Sequence, residues 1–249
     1  MDENIKYGQE NFNLPHDVIT LPSGGKFYKS KKKTAKIGYL TAADENLLMS
    51  NTPDMVTQLI RSKLYEPDLR PDELMQGDIE AILIFLRNTA FGPEYKVKVN
   101  DPDTGNLFDA TILLDELNFA EIEVEPNEKG QYETILPKSQ ANVKLKPLTT
   151  KETREIDDMA KTYPTGRIAP KVTWMLQKQI VEVEGSSAQE DINRFIQSMP
   201  ISDSKYVREF LDKNEPRLDL RKSVITPSGK KVDVRINFGV EFFRPFFWL

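Results

Sequence analysis

LTAADE at residues 40–45 is the stretch around which the fold is organised, because a similar stretch, LTTKE, recurs at residues 148–152. In both, Leu precedes Thr, and an acidic residue follows the Thr three positions later, at Asp44 and at Glu152. This spacing is a capping box. The Thr hydroxyl accepts a hydrogen bond from an amide of the first helical turn, and the carboxylate accepts one from the cap amide. Each stretch follows a short basic and apolar segment and therefore predicts a strand that leads into a capped helix.

The sequence after each cap is also similar, with helical periodicity followed by two strand-like segments around a Pro/Gly turn. The turn is DPDTG at residues 101–105 in the first half and TPSG at residues 226–229 in the second half. Caps and Pro/Gly turns are common individually, so the prediction depends on their shared order. We predict an α+β fold of two related modules, each with a short strand, a capped helical cluster and a ribbon-like β-hairpin.

The predicted modules span residues 17–119 and 140–241. Residues 1–16 are polar and are predicted to form a flexible N-terminal arm. Residues 120–139 are acidic and rich in turn residues, which is typical of an exposed linker. Residues 242–249 form an aromatic C-terminal tail.

Helical periodicity is clearest between residues 72 and 90, where apolar residues recur on one face until Gly92-Pro93 ends the pattern. In the second half we predict one helix over residues 150–161 and another that carries apolar residues on one face over residues 172–183.

Composition excludes several classes of function. The net charge of −5 argues against a general nucleic-acid binder, which usually carries a basic excess. The sequence has no Cys, which excludes disulfides, thiolate catalysis and Cys-based metal sites. We expect a soluble protein made inside the cell, because the start has no features of a secretory signal and the apolar run at residues 81–86 is too short to span a bilayer.

The residues that could support catalysis are few. His16 is the only histidine, and it lies in the predicted arm, where nothing would hold a general base rigidly. The adjacent carboxylates at residues 44–45, 157–158 and 190–191 fit first helical turns or a solvated helix face. The SGGK turn at residues 23–26 lacks the frame of a phosphate-binding loop and joins two strands. We therefore expect no enzyme activity, no catalytic residue and no cofactor.

The two Pro/Gly turns resemble zinc-ribbon knuckles, which have the pattern Cys-Pro-x-Cys-Gly. DPDTG keeps the Pro and the Gly in frame but replaces both thiolates, and Ile225 and Ser228 occupy the thiolate positions in the second hairpin. Because Ile has no ligand atom, we expect no metal here. Two unrelated turns of type I or II are the alternative interpretation.

A lysine-rich segment spans residues 26–36. It could contact nucleic-acid phosphates, but no aromatic residue stands among the lysines after Phe27 and Tyr28 at its start, and the whole chain is acidic. A solvated loop or a contact with an acidic protein partner is the favoured interpretation.

The tail FFRPFFWL at residues 242–249 contains four Phe and one Trp, too much apolar surface to be left in water. It either closes the chain's own last hairpin or docks on a partner, and both can hold for different residues. Since Pro245 interrupts regular structure, we predict that the residues before it are anchored in the second hairpin and that those after it dock. The candidate partner-binding residues are Phe242, Phe243, Phe246, Phe247, Trp248 and Leu249.

LPSGGKFY at residues 21–28, the LTAADE cap, the doubled hairpins and the closing Phe-Phe motif together resemble T4-type phage baseplate hub assembly proteins. The resemblance implies a non-enzymatic protein that helps to assemble the central hub of a contractile tail, as a transient factor or a retained subunit. It implies a location in the virion tail baseplate, or in the cytoplasm of the infected bacterium during assembly.

The partners that the resemblance implies are other baseplate hub and tail proteins. Tape-measure and spike-associated subunits are candidates, and a homo-oligomer is left open; neither nucleic acid nor a membrane is expected as a partner. The alternative function is a nucleic-acid-associated adaptor that uses the lysine-rich segment 26–36.

Overall fold

The computed structural model describes residues 15–50, 52, 54–238 and 242–243, which contain seven α-helices and nine β-strands. This confirms the predicted α+β fold class. The elements of the first half are β1 (His16–Thr20), β2 (Thr34–Gly38), α1 (Ala42–Met49), α2 (Met55–Lys63), α3 (Gln76–Phe91), β3 (Glu94–Asn100) and β4 (Leu107–Leu113). Those of the second half are β5 (Tyr132–Ile135), β6 (Asn142–Leu145), α4 (Thr150–Lys161), α5 (Lys171–Gln179), β7 (Ile180–Val183), α6 (Gln189–Ser198), α7 (Ile201–Asn214), β8 (Arg221–Ile225) and β9 (Lys231–Arg235).

All strand pairs are antiparallel and join neighbours in the chain. β1 pairs with β2, β3 with β4, and β8 with β9, while β5, β6 and β7 form a three-stranded sheet with β6 in the centre. The order of a first hairpin, a capped helix, further helices and a last hairpin therefore occurs in both halves. That the two halves superpose as copies of one module stays a prediction.

Both predicted capping boxes are present. The Thr41 amide donates to the Asp44 carboxylate at 2.6 Å. At the start of α4, the Thr149 amide donates to Glu152 Oε2 at 3.0 Å, and the Glu152 amide donates to Thr149 Oγ1 at 3.3 Å. A local spacing of three residues is thus enough to locate the start of α1 and of α4.

A second feature common to both halves was not predicted from the sequence. The turn after β1 is held by Asp78, the third residue of α3, whose carboxylate accepts from the Ser23 amide at 2.8 Å and from the Tyr28 hydroxyl. The turn after β5 is held by Asp203, the third residue of α7, which accepts from the Lys138 and Ser139 amides at 2.8 Å each. In each half, the last helix therefore fastens the turn of the first hairpin.

Buried side chains form two core clusters. The first cluster is built mainly from the first half and contains Leu21, Tyr28, Ala35, Ile37, Leu48, Leu59, Ile60, Leu69, Leu74, Met75, Ile79, Ile82, Leu83, Ile84, Leu86, Ile112, Leu114, Leu220, Ile236, Phe242 and Phe243. The second cluster contains Tyr132, Leu136, Ala141, Val143, Leu145, Leu176, Ile180, Val183, Ile192, Ile196, Val207 and Leu211.

The last hairpin, β8–β9, belongs to the first cluster although it closes the second half. Leu220 and Ile236 are members of that cluster, and Val224 and Val234 pack against it. The tips of the two Pro/Gly hairpins meet, because the Asp101 carboxylate accepts from the Ser228 hydroxyl at 2.8 Å. The halves are thus joined through their last hairpins, whereas the sequence predicts that each hairpin belongs to its own module.

The structure differs from the sequence analysis in three further places. Residues 132–135 of the expected linker form β5, whose first residue, Tyr132, is buried, so the irregular segment is shorter than residues 120–139. Residues 180–183 form a strand instead of continuing α5, because this β-branched run pairs with β6. α3 starts at Gln76 and not near residue 72, since Leu74 is extended and its carbonyl accepts from Thr150.

Candidate interaction site

The end of the described chain is anchored by Arg87, which lies in the last part of α3 and is 2% exposed. Its Nε donates to the Phe242 carbonyl at 3.0 Å, one terminal nitrogen to the Gly92 carbonyl at 2.9 Å, and the other to the Glu94 carbonyl at 2.9 Å. The rigid, forked guanidinium matches three acceptors that point toward one centre. Arg87 therefore ties together the end of α3, the start of β3 and the C-terminal segment.

No carboxylate pairs with Arg87 in the part of the chain that the structure describes, so the charge is balanced in another way. The guanidinium carbon lies 5.2 Å from the ring centroid of Tyr95 and 5.6 Å from that of Phe242, distances at which the π faces attract a cation. Burial lowers the pKa of the Arg87 guanidinium, partly offset by interaction with Tyr95. The helix C-terminus, with its carbonyl dipoles, also favours a positive charge at this position.

Phe242 and Phe243 are packed inside the first cluster and are 0% and 3% exposed. The Phe242 ring lies 4.8 Å from that of Phe238, 5.0 Å from that of Phe243 and 5.6 Å from that of Tyr95, measured between centroids. These two residues are thus anchored in the chain's own core, among α3, β3 and the segment after β9. Burial leaves them almost no surface to offer to a partner.

The remaining candidate partner-binding residues lie outside the described residues. They are Phe246, Phe247, Trp248 and Leu249. Their docking role stays a prediction. The structure shows that the chain is bound at the Phe242 carbonyl and that the Phe243 side chain is buried.

The lysine-rich segment 26–36 makes many of its contacts within the chain. Lys26 and Lys32 form ion pairs with Glu125 and Glu66. Lys31 Nζ donates to the Glu128 carbonyl at 2.6 Å. Part of the acidic segment expected to be a linker thus covers part of this basic segment, which fits an acidic protein contact better than a surface for phosphates.

The adjacent carboxylates make local structural contacts. Asp44 caps α1 and forms an ion pair with Lys63, in which both side chains are largely buried. Asp157 and Asp158 form ion pairs with lysines, and Asp191 accepts from the Ser186 hydroxyl at 2.7 Å. Among the described residues, no group of three or more His, Asp or Glu side chains could hold a metal ion.

Arg87 is a site residue that sequence reasoning missed. A signal was present, because Arg87 follows Leu83 by four positions and therefore lies on the apolar face of α3. An arginine on such a face needs buried acceptors, but the sequence does not identify them, since one of the three belongs to a residue 155 positions away.

The comparison with protein families gives one finding. A family model described as "T4 bacteriophage base plate protein" matches residues 16–244. No match was found among curated proteins or among solved structures. Within residues 15–50, 52, 54–238 and 242–243, no helix is both long and apolar enough to cross a membrane.

Proposed function

The chain belongs to the family of T4 bacteriophage base plate proteins, and from this premise we propose that it acts in the assembly or structure of the baseplate central hub. It does so without catalysis, through contacts with other proteins. Membership of the family makes it a phage baseplate protein and implies a location in the phage tail. The hub role, the kind of contact and any stay in the bacterial cytoplasm during assembly belong to the proposal.

The observation that carries the proposal is the anchored C-terminal segment. Arg87 binds the Phe242 carbonyl, and the rings of Phe242 and Phe243 are buried, so the chain is held at a fixed point shortly before residues 246–249. The following FFWL at residues 246–249 is highly apolar. At about 25 cal/mol per Å², burying these side chains in a partner's groove contributes several kcal/mol. Holding the chain at this point also reduces the conformational entropy lost on docking.

The partners in this proposal are other hub and tail proteins, including tape-measure and spike-associated subunits, and a second copy of the chain is an additional candidate. No cofactor, metal or nucleic acid takes part. The alternative of a nucleic-acid-associated adaptor gains no support, because Lys26, Lys31 and Lys32 are bound to acceptors within the chain.

Deleting residues 246–249 tests the proposal. We expect the shortened protein to unfold cooperatively with nearly the same free energy, because the anchored residues 242–243 are kept. It should no longer co-purify with baseplate proteins co-expressed from the same phage, and it should fail to complement assembly of infectious particles.

The matched control replaces the same four residues with serines, which keeps the chain length but removes the apolar surface. It should behave like the deletion. If either variant still assembles normally, the docking role is wrong; if the deletion unfolds the protein, these residues belong to the core.

A further inference from the structure

A charged cleft of about 620 Å³ lies between the start of α3, the end of α7 and the β8–β9 hairpin. Four acidic and four basic side chains line it, so its formal charge is balanced. The positive and negative side chains lie at different depths, however. The side chains of Arg221 and Arg235 lie at exposed positions, whereas Glu80 is 8% exposed at the bottom of the cleft.

Close backbone packing holds the floor of this cleft in place. The chain crosses the start of α3 so tightly that a Cβ atom on Gly77 would collide with the Pro216 carbonyl oxygen. Glu80 lies three residues after Gly77 and hence on the same side of the helix, and Glu215 directly precedes Pro216. The contact at Gly77 therefore brings the Glu80 and Glu215 side chains to the same cleft.

Glu80 has one carboxylate oxygen without a partner. Its Oε1 accepts from the Gln76 side-chain amide at 3.3 Å, but its Oε2 is buried and has no hydrogen-bond partner among the residues that the structure describes. A buried acceptor without a donor is costly, and most such groups in native proteins are satisfied. The cleft that Glu80 faces is therefore missing a donor.

The cations of the cleft do not supply that donor. Arg217 donates to the Asp212 carboxylate at 2.8 Å. Glu80 and Glu215 take part in no ion pair within the described residues, although Arg217 and Arg235 act on Glu80 at longer range. The floor thus carries two carboxylates that lack a direct cationic partner.

We propose that this cleft binds a cationic side chain, an Arg or Lys, of a partner protein. A guanidinium or an ammonium group donates several charge-assisted hydrogen bonds at once, so it would pair with Glu215 and, once the Glu80 side chain turns toward the cleft, satisfy Glu80 Oε2. The identity of the partner as a baseplate protein rests on the proposed function, whereas the chemistry of the cleft does not. The cleft is a second contact surface, separate from the aromatic tail.

Affinity for the cation should fall at acidic pH. Burial, followed by the charges of Glu80, Asp212 and Asp78, raises the pKa of Glu215 to about 7, while Arg217 opposes the shift. Burial also raises the pKa of Glu80, although the hydrogen bond from the Gln76 amide and the positive charges of Arg217 and Arg235 oppose this shift. Below neutral pH the Glu215 carboxyl takes up a proton and loses the negative charge that a cation needs.

A titration of the whole protein with a blocked Gly-Arg-Gly tripeptide, followed by NMR, tests the proposal. We expect saturable shifts of the amides around Glu80 and Glu215 at pH 8, weaker by roughly tenfold at pH 5.5, consistent with the loss of one charged hydrogen-bonded pair. The same tripeptide with citrulline, which is uncharged but similar in shape, should not bind. Glu80→Gln and Glu215→Gln should each weaken binding at least roughly tenfold.

Glu209→Gln is the matched control, because Glu209 lies on α7 and its side chain is 59% exposed beside Lys205. It should bind the Arg tripeptide like the original protein. The proposal is wrong if the Arg tripeptide does not bind, if citrulline binds equally well, or if Glu209→Gln weakens binding as much as Glu215→Gln does. The folding of both cleft variants is checked separately. If one of them does not fold, the other still tests the proposal.

The experiments distinguish a failure of the cleft proposal from a failure of the proposed function. A protein lacking residues 246–249 should keep its affinity for the Arg tripeptide. If the tripeptide binds but the intact protein captures no baseplate protein, the cleft stands and the proposed function fails. If the tail deletion abolishes capture but the tripeptide never binds, the cleft proposal is wrong and the proposed function stands.

Discussion

At the scale of single residues, Arg87 shows how an arginine can be buried without a carboxylate. Three backbone carbonyls and two aromatic faces replace the counter-ion; the bond to the Phe242 carbonyl is buried, and those to the Gly92 and Glu94 carbonyls are partly buried. Removing the side chain would leave all three carbonyls without this donor. For a replacement of similar volume, the loss of stability should come mainly from these unsatisfied acceptors, because the buried side-chain surface changes little.

Arg87→Met, which keeps much of the side-chain volume, should lower the free energy of unfolding by about 3 kcal/mol or more. Urea unfolding followed by circular dichroism measures the change. The control is Arg194→Met at a side chain that is 79% exposed, where we expect a change of less than about 0.5 kcal/mol. Equal costs for the two variants would contradict the anchoring role of Arg87.

Glu215 should make stability depend on pH in a direction opposite to that of an ordinary paired carboxylate. Its pKa in the folded protein is raised to about 7, above the ordinary value of 4.5, so the folded state holds the proton more tightly than the unfolded state does. The stabilisation is therefore complete below the ordinary value and is lost as the pH rises through 7. A shift of this size corresponds to at most roughly 3 kcal/mol, and partial solvent access reduces it.

Glu215→Gln should remove this dependence. We expect the variant to be more stable than the original protein at pH 8, by about 1–2 kcal/mol, and nearly equal to it at pH 5. Thermal unfolding at both pH values measures the difference. If the variant is less stable at pH 8, Glu215 has an ionic partner that outweighs the effect of burial.

At the scale of elements, the two turn-holding aspartates connect a helix to a hairpin far away in the chain. Asp78 reaches back 55 residues to Ser23, and Asp203 reaches back 65 residues to Lys138. Burial raises the pKa of Asp203, but the hydrogen bonds from Ser139 and Lys138 outweigh it, and the pKa is lowered. Its carboxylate is therefore held in the ionised form, and the stabilisation it provides is lost as the pH falls below its ordinary range.

Asp203→Ala should lower the free energy of unfolding by about 2–4 kcal/mol, because two amides lose a charged acceptor. Denaturant unfolding at neutral pH measures this. Asp158→Ala is the control, since the Asp158 side chain is 59% exposed, and it should cost less than about 0.5 kcal/mol. A small effect at Asp203 would mean that water replaces its carboxylate at the turn.

These elements also show how much of the fold could be predicted from the sequence. The caps at Thr41 and Thr149 were predicted because all the atoms of a capping box come from four consecutive residues. β7 was mistaken for helix because its apolar residues also fit helical spacing, and only its pairing with β6 decides between the two. The contacts of Asp78, Asp203 and Arg87, and the cleft at Glu80, depend on partners distant in sequence, which no local pattern reports.

At the scale of the whole molecule, the last hairpin packs against the core of the other half of the chain. It follows the second half in the chain but contributes Leu220 and Ile236 to the first cluster, and the strand-like contacts of residues 118–120 with residues 217–219 hold it there. Each half therefore lacks something when it is alone. The first half lacks part of its core, and the second half has a hairpin with no core of its own to cover.

Cutting the chain after residue 128 tests this arrangement. We expect fragment 1–128 not to unfold cooperatively by itself, because burying an incomplete core does not offset the conformational entropy lost on folding, whereas fragment 129–249 contains every member of the second cluster. Mixed together, the fragments should associate and recover a cooperative transition, measured by circular dichroism and gel filtration. A first fragment that folds cooperatively alone would show that the last hairpin is dispensable for the first cluster.

The packing of the last hairpin in the first cluster also affects the order in which the two clusters form during synthesis. When a ribosome has made residues 1–119, it has yet to make Leu220, Ile236, Phe242 and Phe243, so the first cluster must wait for them. At bacterial rates of roughly 5–20 residues per second, the delay is on the order of ten seconds. During that time the second cluster can form first, even though most of the first cluster is translated earlier. A chain released early by a stalled ribosome would lack these residues, and its first cluster would stay incomplete.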